Sequence, residues 1–142
     1  MEQVTPFLLV LSLALVAPGL FAGKCNLTGS WINDLGSNMT IWPIDKEGNF
    51  NGIYYTAVKD TPNDPKRSPL LGSQQPSEYP TFGFTVNWTF TDSVTVFTGQ
   101  CFVDEDGKEI LKTMWLLRSH ENSIKDDWKA TRVGYNNFTR IK

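Results

Sequence analysis

The sequence predicts an all-β fold of about eight short strands, closed as an up-and-down barrel or packed as a sandwich. Three observations carry this expectation. Turn chemistry recurs at short intervals: Asp34-Leu-Gly-Ser37, Asp45-Lys-Glu-Gly-Asn49, a longer loop holding Pro62, Asn63, Asp64, Pro65 and Pro69, then Pro76-Ser-Glu-Tyr-Pro80, Asp92-Ser93 and Asp104-Glu-Asp-Gly107. Between the turns lie runs rich in Val, Ile, Thr, Phe, Tyr and Trp, which suit a pleated, half-buried surface. Within those runs, residues of one parity are mostly large and apolar, the period of a strand with one covered face. Evenly spaced short strands of this kind belong to barrels and sandwiches.

Taken in order, the predicted strands are residues 29–33, 38–44, 50–58, 69–74, 81–90, 94–103, 108–118 and 131–139. Trp31 and Asn33 share a face of the first. Tyr54 and Thr56 share a face of the third. On the fifth, Phe82, Phe84, Val86, Trp88 and Phe90 all have one parity and form an aromatic wall. Asp92-Ser93 joins it to the sixth, where Thr95 and Phe97 share a face. Trp115 and Leu117 do so on the seventh, and Gly134, Asn136 and Phe138 on the eighth. Residues 121–128 are the one stretch with the composition of a helical turn.

These parities define an interior of mixed character. Trp31, Trp88, Phe90, Phe97, Trp115 and Leu117 share it with Asn33, Ser37, Tyr54, Thr56, Thr95 and Asn136. A pure core avoids that many polar groups, because each buried one needs a partner. The interior is therefore either a core whose polar groups satisfy one another or a pocket for a small, partly polar ligand. The opposite parity places Met114, Leu116, Val133 and Tyr135 outside, an apolar patch of the kind that packs subunits together. Trp42 also falls outward by parity.

Of the 142 residues, the first 23 read as a secretory signal peptide. An apolar run from Phe7 to Leu20 is followed by small residues at Ala22 and Gly23, which places cleavage near Ala22. The run is short for a membrane span and contains Pro18-Gly19. The remaining residues, 24–142, form one domain. Removing the leader removes one acid, Glu2, so the charge moves from −2 to −1. So small a net charge argues against nucleic acid or an acidic membrane surface as partner.

In a secreted chain the two cysteines, Cys25 and Cys101, read as one disulfide. With the single histidine, His120, in a polar stretch, they make no metal-ligand set, and no nucleophile–histidine pair suggests catalysis. Sequons at Asn26, Asn38, Asn87 and Asn137 agree with a secretory route.

The residues also carry a resemblance. The stretch from Cys25 to Thr40, with Pro80 to Trp88, Val96 to Cys101, Gly107 to Ser119 and Asp126 to Gly134, resembles the avidin family over essentially the whole mature chain. That resemblance implies an eight-stranded antiparallel up-and-down barrel. It also implies a secreted, non-catalytic biotin-binding protein that is a homotetramer and withholds the vitamin from microbes. Asn33, Ser37 and Tyr54 match the groups that hydrogen-bond the ureido oxygen, and Thr56 and Asn136 the acceptors for the two ureido N–H groups. Thr95 matches the hydroxyl near the thioether sulfur. Trp88, Phe90, Phe97, Trp115 and Leu117 match the apolar walls, and Trp128 the tryptophan that reaches into a neighbouring subunit's pocket. Thr61, Thr91 and Ser93 match the hydroxyls near the ligand carboxylate, with Asp60 able to offer its backbone N–H. Lys59 and Asp60 depart from the family's usual small residues there: Lys59 could pair with the carboxylate, while Asp60 opposes it unless turned away. Asn38 matches the family's glycosylated turn; Asn26 is a second candidate.

An alternative is a lipocalin-like carrier of another small hydrophobic ligand, for which Gly29-Ser-Trp31 supplies the short Gly-x-Trp opening.

Overall fold

Turns that reverse the chain after each strand set consecutive strands side by side, and here the pairing continues until the last strand meets the first. The computed structural model describes residues 24–57 and 66–142. The strands are β1 (Gly29–Asn33), β2 (Asn38–Ile41), β3 (Asn49–Thr56), β4 (Lys66–Gln74), β5 (Thr81–Asn87), β6 (Ser93–Val103), β7 (Glu109–Ser119) and β8 (Thr131–Arg140). They form one closed barrel in chain order, antiparallel throughout. β1 closes on β8 through Trp31–Arg140, Ile32–Thr139 and Asn33–Phe138. Closure removes the exposed edges an open sheet would carry, and it decides for a barrel over a sandwich.

Three strand boundaries shift by three residues from expectation, and the others by two or fewer. β2 stops at Ile41, two residues before Pro43, which has no N–H to give a ladder. β4 starts early, at Lys66, and takes in Pro69. That proline is tolerated because β4 pairs only with β3 there; its ladder with β5 begins at Leu70. β5 ends at Asn87, short of the expected residue 90. The Thr89 N–H is taken by Ser68 Oγ at 3.1 Å, and its hydroxyl donates to the Arg67 carbonyl at 2.7 Å, so the chain leaves the ladder. Phe90 thereby loses the parity that would have turned it inward. The expected helical turn is a 3₁₀ helix over Ile124–Lys129, with the Ser123 side chain accepting from the Lys125 N–H.

The barrel has two unlike ends. At one, the N-terminal segment crosses over the core: Leu27 is fully buried, Trp31 Nε1 donates to its carbonyl at 2.8 Å, and Cys25 N–H bonds the Glu78 carbonyl. The disulfide joins Cys25 to Cys101 on β6, as expected, across 76 residues of sequence. On the chain-entropy view such a loop contributes about 4 kcal/mol. Above this plug lie Ile41, Phe50, Leu70, Phe82, Phe84 and Leu111, all buried. An aromatic stack then climbs from Phe82 to Phe84, Phe97 and Tyr54, with centroid separations of 6.1, 4.7 and 5.7 Å. It leads to the other end, where the turn after β1, the end of β3, and the segments after β5 and β7 gather.

Outside, the register lines up mostly apolar residues across three strands. Val96, Leu116 and Val133 form one row, and Thr98, Met114 and Tyr135 the next. All six are exposed in the single chain. Trp42 also faces out, lining a shallow cleft of about 270 Å³ with Ile53, Arg67 and Pro69.

Candidate functional site

Asn33 is the last residue of β1 and is buried. The tight turn that follows is possible because Gly36 takes φ of +88°, a conformation L side chains avoid. Asn33 Oδ1 accepts from the backbone N–H groups of Leu35 and Ser37, both at 2.9 Å, and so holds that turn. Its Nδ2 donates to the Tyr54 phenol oxygen at 3.1 Å. Ser37 Oγ accepts from the Ala57 N–H at 3.3 Å. These bonds use acceptor capacity and leave hydrogens to give: the second Asn33 amide hydrogen, the Ser37 hydroxyl hydrogen and the Tyr54 hydroxyl hydrogen.

Tyr54 is enclosed by aromatics, stacked on Phe97 and edge-on to Trp88 at 5.3 Å. Burial pushes its pKa from 10.0 up to about 12; the neighbouring Ser37 hydroxyl and the Asn33 amide oppose this, and the Asp34 charge adds to it. At neutral pH the phenol therefore keeps its proton and is a donor.

The opposite side of the site is built by β6, β7 and β8. Trp115 lies across the ladder from Gly134, and its Nε1 donates to Asn136 Oδ1 at 2.9 Å. Asn136 is buried, and its Nδ2 donates to Asp34 Oδ1 at 2.8 Å, so the amide keeps a free oxygen lone pair for a ligand N–H, beside one unused hydrogen on Nδ2. The Asn136 carbonyl accepts from the buried Thr113 hydroxyl at 2.8 Å, which ties the two strands beneath the side chain. On β6, Thr95 Oγ1 accepts from Trp88 Nε1 at 2.8 Å, leaving the hydroxyl proton free. Among the described residues, the buried Thr56 hydroxyl has no hydrogen-bond partner. A buried polar atom in that state costs about 1–3 kcal/mol unless something arrives to satisfy it.

The structure thus gathers Asn33, Tyr54, Thr56, Thr95, Phe97, Trp115 and Asn136 from five strands, with Ser37 from the turn after β1 and Trp88 from the segment after β5, at one end of the barrel. Leu117 and Ser93, paired neighbours of Thr95 and Ser119, are half-buried at the rim. Thr91 is exposed. Phe90 is a correction to the sequence reading: it is 43% exposed and only leans on Trp88 at 5.7 Å. Trp128, on the 3₁₀ helix, is 81% exposed. Asp60 and Thr61 lie outside the described residues, as does the leader expected over residues 1–23. Asn38 and Asn26 are both exposed.

Sequence reasoning passed over two contributors. Asp34 read as an ordinary turn residue and Thr113 as one of many strand threonines; nothing in their local pattern marks them. Their partner, Asn136, is distant in sequence from both. His120, in its polar stretch, is exposed, and its Nδ1 lies 3.2 Å from Asp92, which links two of the loops at this end.

The comparisons with known proteins agree with this architecture. The profile of the Avidin family matches residues 21–141. Avidin from Gallus gallus is 65% identical over 138 residues, covering 95% of this chain and 91% of its own length. The solved structure of AVR2 superposes with a TM-score of 0.78 at 57% identity, covering 85% of this chain and 99% of that one. A biotin binding protein from chicken does so with a TM-score of 0.77 at 60% identity, covering 84% and 98%. A family match over almost the whole chain, a relative of that identity and the same closed barrel lead to one conclusion: the chain belongs to the avidin family.

Proposed function

We propose that this protein is a secreted, non-catalytic binder of biotin, held at the open end of the barrel. The observation that carries this is the sorting of hydrogen-bond capacity. Asn33, Ser37 and Tyr54 keep hydrogens to donate, while Asn136 and Thr56 keep oxygens to accept. A cyclic urea has the inverse pattern: one oxygen that accepts, flanked by two N–H groups that donate. Fixed donors around an oxygen of partial negative charge lose little reorganisation energy in a site shielded from water. Trp88, Phe97, Trp115 and Leu117 supply apolar walls for the fused rings and the chain. The Thr95 hydroxyl is available to the sulfur. Asp60, Thr61, Thr91 and Ser93 are the matching groups for the carboxylate, and Phe90 flanks Trp88 at the rim.

The exposed Trp128 is proposed to complete the pocket of a neighbouring subunit within a homotetramer, and the rows on β6, β7 and β8 support a subunit contact. Vitamin sequestration against microbes is the biological role this reading favours, with a glycan on Asn38. A lipocalin-like carrier of a hydrocarbon ligand is disfavoured, because such a ligand would leave the donors and acceptors of this site unpaired, at about 1–3 kcal/mol for each group.

Titration with biotin while following tryptophan fluorescence and thermal unfolding tests the reading, with retinol as the comparison ligand. Biotin is expected to quench the fluorescence and raise the unfolding temperature, since a ligand at a thousand times its Kd adds about 4 kcal/mol by mass action. No quenching and no thermal shift with biotin would overturn it.

A further inference from the structure

Asp34 is an exposed residue of the turn after β1, yet its carboxylate reaches the buried amide of Asn136, 102 residues away in sequence. That amide is held from both sides. Asp34 Oδ1 accepts from Nδ2 at 2.8 Å, and Trp115 Nε1 donates to Oδ1 at 2.9 Å. A carboxylate can only accept and an indole N–H can only donate. Turning the amide over would set N–H against N–H and oxygen against carboxylate. The two anchors therefore admit a single orientation.

We infer that Asp34 is a positioning residue for ligand recognition: it locks the Asn136 amide with its oxygen toward the site and strengthens that oxygen as an acceptor for a ligand N–H. The inference rests on the biotin-binding reading. A charge-assisted bond to Nδ2 polarises the amide and moves electron density toward Oδ1. The carboxylate thus lets a neutral asparagine act as a strong acceptor without burying a charge in the pocket. Asp34 follows Asn33 in the chain, and Asn33 Oδ1 holds the same turn through Leu35 and Ser37. One turn thus sets a donor to the ligand oxygen and, through Asp34, the acceptor beside it.

The test is a mutant cycle on the full protein, with dissociation of labelled biotin as the readout. Asp34→Ala is expected to speed dissociation on the order of 10- to 100-fold, the range for loss of a hydrogen bond to a charged group. Asp34→Asn, which keeps an acceptor but no charge, should fall between Ala and the native residue. In an Asn136→Ala background, Asp34→Ala should change the rate less than about twofold, because no amide remains to orient. The Asn136 side-chain amide resonances of the ligand-free protein should shift in Asp34→Ala. An unchanged dissociation rate in Asp34→Ala, or the same loss with and without Asn136, overturns the inference. Failure of the unmodified protein to bind biotin defeats the functional reading instead, a result separable from either.

Discussion

Trp115 rests on Gly134, its partner across the β7–β8 ladder, and the indole fills the space a side chain would need: a Cβ on Gly134 would lie 2.2 Å from Cζ2 of the ring. The absence of a methyl group on β8 is what lets Trp115 lie flat and bring Nε1 to Asn136. Gly134→Ala is expected to push the ring into the site, destabilise the barrel by about 1–3 kcal/mol as overpacking does, and weaken biotin binding at least tenfold. Thermal unfolding and ligand titration on the same preparation check both effects. Tight binding in a variant of native stability would show that the indole has another resting place.

Tyr54 sets an alkaline limit. Its pKa lies near 12 in the folded protein against 10.0 for a free phenol. The folded state thus holds this proton more tightly than the unfolded chain does. The sign follows: the contribution is complete below about pH 10 and is lost as pH rises from 10 towards 12. Spectrophotometric titration should show a late tyrosinate phase, absent in Tyr54→Phe. Stability should decline across the same window, with a smaller decline in the variant.

The opposite limit lies with Glu109 and Arg140. The guanidinium bonds both carboxylate oxygens, at 2.7 and 2.8 Å, and also reaches the carbonyls of Thr28 and Asn26 while lying over the Trp31 ring. The hydrogen bond from Arg140 holds the Glu109 carboxyl below its ordinary 4.5, against the opposing effect of burial. A depressed carboxylate stabilises the fold above the unfolded value, and the contribution fades as pH falls below about 4.5 through the folded value. Glu109→Gln is expected to cost about 1 kcal/mol at neutral pH, a figure reduced for the pair's partial exposure, and to flatten the acid limb of the stability curve. Denaturant unfolding at pH 7 and pH 3 measures both.

The outer rows make a prediction about assembly. Val133 is 66% exposed and Tyr135 69% exposed in the single chain. Val133→Glu with Tyr135→Glu should lower the mass seen by light scattering, because paired like charges would be buried at a subunit contact. Trp128→Ala should leave barrel unfolding within about 0.5 kcal/mol, as for an exposed side chain, yet speed biotin release. A variant with native mass and native release would remove the neighbour's contribution from the proposal.

Much of the site was legible beforehand because strand parity is a local rule. Asn33, Tyr54, Thr95, Phe97 and Asn136 each declare a face through their immediate neighbours, and the ladder carried them inward. Phe90 obeyed the same parity and still ended outside. The Ser68 side chain, distant in sequence, captured the Thr89 N–H and ended β5 early. No reading of residues 81–90 alone contains that bond. Resemblance to the family supplied roles for the groups, but it could not reveal which hydrogens and lone pairs remained free.

By itself the sequence determined the alternation, the turns, the pairing of two cysteines and the polar residues that share a face with the aromatics. These depend on backbone geometry and on chemistry within a few residues. Only the tertiary structure decided that β1 meets β8, that Gly134 lies under Trp115, and that Asp34 holds Asn136. Those facts depend on closure of the barrel, which brings together groups that no local pattern connects and settles, atom by atom, which of them can still donate or accept.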